Sequence, residues 1–146
     1  MENYSVYEDI ASRTNGDIYI GVVGPVRTGK STFIKRFMEQ LVIPSADESR
    51  RAVMTDELPQ SAAGRTVMTT EPKFVPAQAA KISIREGAEA SVRLVDCVGF
   101  AVEGAGGFEE DGAPRLIKTP WSEQAMPFEK AAKLGTEKVI REHSTI

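Results

Sequence analysis

The run Gly24-Pro25-Val26-Arg27-Thr28-Gly29-Lys30-Ser31 constrains this chain more than any other stretch. It satisfies the pattern Gly-x4-Gly-Lys-Ser/Thr and lies between two segments of opposite character. Upstream, IYIGVVG from Ile18 to Gly24 is apolar and β-branched and ends in glycine, as a buried strand does when it breaks into a loop. Downstream, KSTFIKRFMEQLVI sets Phe33, Phe37 and Leu41 four residues apart, with Ile34 and Met38 widening the stripe. That spacing predicts an amphipathic helix closed at Pro44. In this composition the bare pattern arises by chance with a probability of about 0.01. A plain capped turn would leave the two spaced glycines without a reason.

Strand, glycine-rich loop and helix in that order make a phosphate cradle. Backbone N–H groups of the loop and first helical turn converge on a phosphate, and the positive end of the helix favours the anion. Gly29 permits close approach, Lys30 reaches the outer phosphates as a point charge, Ser31 offers a hydroxyl to Mg2+, and Thr32 donates to the inner phosphate. The binding set read from the sequence is Gly24, Arg27, Thr28, Gly29, Lys30, Ser31 and Thr32, joined by Gly99.

A second piece follows at SVRLVD, a strand expected over Ser91 to Asp96. Its last residue, Asp96, falls at the carboxyl edge of the sheet, where ligands bind in open α/β folds. An aspartate there suits the Mg2+ shell, and Gly99, three residues on, can present its N–H to a terminal phosphate. Phe100 then stands where many GTP hydrolases place a water-orienting glutamine, and a phenyl ring accepts no such hydrogen bond. The alternatives are a threonine of the preceding loop, Arg27, Arg65, a monovalent cation, or a group from a neighbouring molecule. Slow unassisted turnover is the expectation.

The third piece is GRTVMTTEP, Gly64 to Pro72, placed to fold over a terminal phosphate and its magnesium. Thr70, and after it Thr69, is the favoured metal and water ligand. The catalytic set is therefore Lys30, Thr69, Thr70 and Asp96, and the metal set Ser31, Thr70 and Asp96.

Composition limits the alternatives. Eighteen basic against twenty-one acidic residues, a formal charge of -3, give no basic stripe for a nucleic-acid backbone. One cysteine, Cys97, makes neither an internal disulfide nor a cysteine-built metal site. The longest near-apolar run, Ile18 to Val26, is too short to span a bilayer, and the acidic first ten residues do not resemble a signal peptide, so a cytoplasmic location is expected.

The remaining elements are sparse. A short helix is expected over residues 3–14 and an exposed helix or half-ordered insertion over Ala46 to Leu58. Strand material is expected at KFV and at Lys81 to Ile84, a turn at Glu86-Gly87, a glycine-rich loop from Gly99 to Pro120, and a helix from Phe128 to His143. The order is that of an α/β fold, an open sheet with flanking helices, with about three core strands in view. His143 reads as a surface residue, Cys97 as a sheet-packed one, and Glu109, Glu110 and Asp111 as a solvated cluster. Trp121 suits either an assembly surface or a domain-edge anchor.

The segments Gly16 to Glu39, Asp56 to Pro76 and Val92 to Gly99, with the endings GAPRLIKTPW and KVIREHSTI, resemble the stage IV sporulation protein A family over most of the chain. The resemblance implies a translation-factor-related P-loop domain that hydrolyses ATP rather than GTP. It implies residues 1–146 as the N-terminal portion of an incomplete domain that continues in a longer protein. It also implies ATP-dependent self-association into the base layer of the bacterial spore coat, on the mother-cell side of the forespore. The partners implied are a small membrane-associated anchor protein and coat proteins. Lys30 matches that family's phosphate-loop lysine, Thr69 and Thr70 its paired sensor threonines, and Asp96 the acid of its second nucleotide motif. A regulatory GTPase switch and a nucleotide-binding structural module without turnover stand as the alternatives.

Overall fold

The computed structural model describes residues 16–59, 71–103 and 108–146. The helix expected over residues 3–14 lies outside them. Three strands form the central sheet: β1 (Asp17–Val22), β2 (Lys73–Arg85) and β3 (Ala88–Asp96), in the order β1-β3-β2. β1 is parallel to β3, and β2 is antiparallel to it across the expected Glu86-Gly87 turn. Period-two alternation divides the side chains between the faces. Ile18, Ile20, Val22, Val92 and Leu94 join one core cluster; Tyr19, Val95 and Cys97 join another.

Helix α1 (Lys30–Phe37) covers the first face and runs on through a π turn, Met38–Val42, into a 3-10 turn, Ile43–Ser45. Its buried stripe is Lys30, Ile34, Met38 and Val42, the last three at 0 % exposure, whereas Phe33 and Leu41 stand 52 % and 44 % exposed. The stripe is thus one residue out of phase with the expected Phe33-Phe37-Leu41 set. Both sets have a four-residue spacing, so periodicity cannot choose between them. The sheet chooses, because Ile34, Met38 and Val42 are the set that packs on Ile18, Ile20, Val92 and Leu94. Four-residue steps drift around an α-helix, and the wider π turn keeps Val42 in line. Burying each of these three side chains contributes about 1.5–3 kcal/mol.

The insertion is an ordered helix, α2 (Glu48–Asp56), anchored by the buried Met54. Its polar residues hold the chain around it. Arg51 donates to the carbonyls of Ala46 and Pro44, Arg50 to that of Gln78, and Glu57 accepts the Ala77 N–H.

KFV and KISI belong to one strand, β2, interrupted by a bulge. Val75 pairs with Leu94 and Ala80 with Val92, so residues 76–79 stand opposite Arg93 alone. The Arg93 guanidinium donates to the Pro76 and Ala77 carbonyls and lies 4.4 Å from the Phe74 ring centre and 5.6 Å from that of Tyr19.

The segment expected as one long loop after Gly99 contains two hairpins. β4 (Glu109–Glu110) pairs with β5 (Ala113–Pro114), and β6 (Leu116–Thr119) pairs with β7 (Ser122–Pro127). Asp111 and Gly112 turn the first at φ 53° and 76°, and an Asp-Gly pair is the sequence signal for such a turn. Trp121 is half-buried at the second turn. Helix α3 (Phe128–Lys138) follows and ends in a π turn, Val139–His143, that lays Val139 on the second face of the sheet.

The chain then returns to the free edge of β1. Ile146 donates its N–H to the Tyr19 carbonyl and accepts the Gly21 N–H, at 3.1 and 2.8 Å, the pattern of a parallel pair. Among the described helices none is long and apolar enough to cross a membrane.

Candidate functional site

The carboxyl ends of β1 and β3 lie side by side, and the loops leaving them form the site. After β1 the chain turns at Gly24 (φ 158°) and Arg27 (φ 57°), then enters α1 through Gly29 at φ 93°, a left-handed conformation that suits glycine. No side chain caps α1 and its first turn carries no acid. The first helical hydrogen bond runs from the Phe33 N–H to the Gly29 carbonyl. The N–H groups of Lys30, Ser31 and Thr32 are thus left at the positive end of the helix without a partner inside it.

Thr28 is exposed and donates its hydroxyl to the Pro25 carbonyl at 2.7 Å. Lys30 is buried to 9 % exposure and donates from Nζ to the same carbonyl, which leaves two of its three N–H donors. Burial pushes the Lys30 ammonium below its usual pKa, against the pull of neighbouring Cys97 and Asp96. Arg27, Ser31 and Thr32 are exposed.

Asp96 closes the opposite side. Burial pushes its carboxyl above the usual carboxylate value, while Lys30, Lys73, the Cys97 N–H and the Ser31 hydroxyl pull it down. Its Oδ1 atom is buried with no hydrogen-bond partner. A carboxylate oxygen so placed beside a serine hydroxyl is a fitting pair of ligands for a hard cation whose other ligands are phosphate oxygens and water. No group of three or more His, Cys, Asp or Glu side chains gathers for a metal among the described residues.

Gly99 is buried at φ 88° against the Lys30 side chain. Burial pushes the Cys97 thiol up, against the pull of the neighbouring Gly99 N–H. Outside the loop, a polar cleft of about 370 Å³ runs along α1 between Ser31, Thr32, Lys35, Arg36, Glu39 and Pro59.

The structure therefore brings Gly24, Arg27, Thr28, Gly29, Lys30, Ser31, Thr32, Asp96 and Gly99 to one end of the sheet. Thr69, Thr70 and Arg65 lie outside the described residues. Two participants escape sequence reasoning. Lys73 pairs with Asp96. Counting back from the hairpin at the Ala80↔Val92 register would put Pro76 there, and only the bulge brings Lys73 into place. The other is the main chain of Phe100, which bridges to Pro25.

A family model described as Stage IV sporulation protein A, ATPase domain, matches residues 1–146. Stage IV sporulation protein A of Bacillus anthracis is 63% identical over 147 aligned residues, and that of Bacillus subtilis (strain 168) 60%, each alignment covering 100% of this chain. That of Clostridioides difficile (strain 630) is 62% identical over 145 residues, or 99% of the chain. The chain spans about 30% of the length of these relatives. No solved structure matches.

Proposed function

The chain belongs to the stage IV sporulation protein A family, and from that premise we propose that it is the N-terminal portion of a P-loop domain that binds and hydrolyses Mg-ATP. The observation that carries this reading is the convergence of Lys30, Ser31 and the unpartnered Asp96 Oδ1 on the uncapped start of α1. The α1 N–H groups and the free donors of Lys30 hold the phosphates. Ser31 and Asp96 hold the magnesium, which when bound neutralises charge on the phosphate oxygens. The Gly99 N–H lies near the Cys97 sulfur, a weaker acceptor than a phosphate oxygen. Thr69 and Thr70 supply the remaining metal and water contacts.

In this reading turnover is slow, because Phe100 offers no side-chain acceptor for the attacking water. Hydrolysis drives self-association into the base layer of the spore coat at the mother-cell face of the forespore. A small membrane-associated anchor protein and coat proteins are the partners. These parts of the proposal come from the family resemblance.

Titration with a fluorescent ATP analogue and a phosphate-release assay on the full-length protein test it. Lys30→Ala is expected to weaken Mg-ATP binding by about 100-fold and to stop ATP-dependent assembly. Failure of the wild type to bind any nucleoside triphosphate with magnesium would overturn the reading. A rate of several turnovers per second from dilute monomer would overturn the slow-hydrolysis part of it.

A further inference from the structure

β1 and β3 stay in register from Asp17↔Ser91 to Val22↔Asp96, then both leave the sheet. The two loops meet again in the same parallel sense at Pro25 and Phe100. From Val22 to Pro25 is three steps, and from Asp96 to Phe100 is four. One residue is therefore extra on the β3 side, as in a β-bulge, a device that re-aims backbone next to active sites.

Gly99 absorbs the extra residue at φ 88°. Its backbone is thrown against the phosphate loop so closely that a Cβ there would lie 2.5 Å from Lys30 Nζ and 2.6 Å from the Gly24 carbonyl oxygen. Two main-chain hydrogen bonds hold the arrangement. The Phe100 N–H donates to the Gly24 carbonyl at 3.3 Å, and the Val26 N–H donates to the Phe100 carbonyl at 3.0 Å.

The geometry points to the Phe100 main chain as a built-in clasp that positions Gly99 beside Lys30 before nucleotide arrives, and so sets the preference for triphosphate over diphosphate. The inference rests on the nucleotide reading above and goes beyond it. Lys30 is held between the Pro25 carbonyl and Gly99, and a terminal phosphate seated there would take the remaining Lys30 donors together with the Gly99 N–H. A diphosphate does not reach so far and gains nothing from the clasp. Phe100 acts through its neighbours, so it is a positioning residue. Its ring, 36 % exposed, takes no part.

Separating backbone from side chain tests the clasp. Phe100→Pro removes the N–H that reaches Gly24, whereas Phe100→Ala keeps it. With Mg-ATP and Mg-ADP titrated against the full-length protein, Phe100→Pro is expected to lower the ATP-over-ADP preference about tenfold with ADP affinity little changed. Phe100→Ala is expected to stay within about twofold of wild type. A proline variant with the wild-type preference, or an alanine variant that loses it equally, overturns the clasp.

Hydrogen exchange of the wild type needs no variant to fold. The Phe100 amide is expected to exchange slowly with and without Mg-ATP. Exchange at the free-peptide rate until Mg-ATP is added would overturn the preformed contact. If the wild type bound neither nucleotide, the nucleotide reading would fall and the clasp with it. If it preferred ATP and Phe100→Pro kept that preference, the clasp alone would fall.

Discussion

Asp96 shows what a single buried carboxylate can impose on a site. Burial raises its pKa above 3.8, against the pull of Lys30, Lys73, the Cys97 N–H and the Ser31 hydroxyl. A cation at Oδ1 needs the ionised form, and here protonation sets in at a higher pH than at a surface aspartate. Mg-ATP affinity is therefore expected to fall as pH is lowered through the acid range, starting above 3.8. Asp96→Asn should bind more weakly at neutral pH and lose most of this dependence, which titration across pH in the two proteins would read. A steep acid loss that survives in Asp96→Asn would place the proton elsewhere. At this scale the sequence is most informative. The spacing and neighbours of Lys30, Ser31 and Asp96 are enough to bring them to one end of the sheet, where they are found. Those of Lys73 are not, because its place is fixed by a bulge that no local pattern reveals.

Among the elements, β2 depends most on a residue outside itself. Four residues of its bulge face Arg93, whose fork takes the Pro76 and Ala77 carbonyls while its plane lies over Phe74. Arg93→Met keeps the apolar stem and removes the donors. It is expected to destabilise the fold by about 2 kcal/mol, read from the denaturant midpoint, with faster hydrogen exchange at residues 76–79. Arg93→Lys should recover only part of this, since an ammonium cannot span two carbonyls in one plane. Wild-type stability in Arg93→Met would mean that the bulge carries itself. Element types were largely legible. β1, α1, β3 and α3 follow from hydrophobic spacing, whereas the hairpins after Gly99 do not: that segment reads as one loop, although Asp111-Gly112 carries a turn signal. The phase of α1 was not legible either, because Phe33-Phe37-Leu41 and Ile34-Met38-Val42 satisfy the same period and only the sheet distinguishes them.

Across the molecule, helices on both faces and a returning tail converge on β1. Gly21 is the point of closest approach: a Cβ there would lie 2.0 Å from Ser144 Oγ and 3.0 Å from Val139 Cγ1. Gly21→Ala should push the tail and the end of α3 outward, costing about 2 kcal/mol in equilibrium unfolding. Ser144→Gly in the same chain should recover part of the loss. Purely additive effects of the two changes would show that tail and strand do not meet as described. The sequence showed a glycine in a strand but not its reason, which lies in residues more than a hundred positions away.

That edge contact has a mechanical corollary. Ile146 runs parallel to β1 and is bonded to Tyr19 and Gly21, so tension applied at Ile146 loads those bonds in shear rather than peeling them one at a time. The strand that resists this pull also carries Gly24 two residues past its end. Strain arriving through the tail is thus borne by the same strand that leads into the loop of residues 24–31.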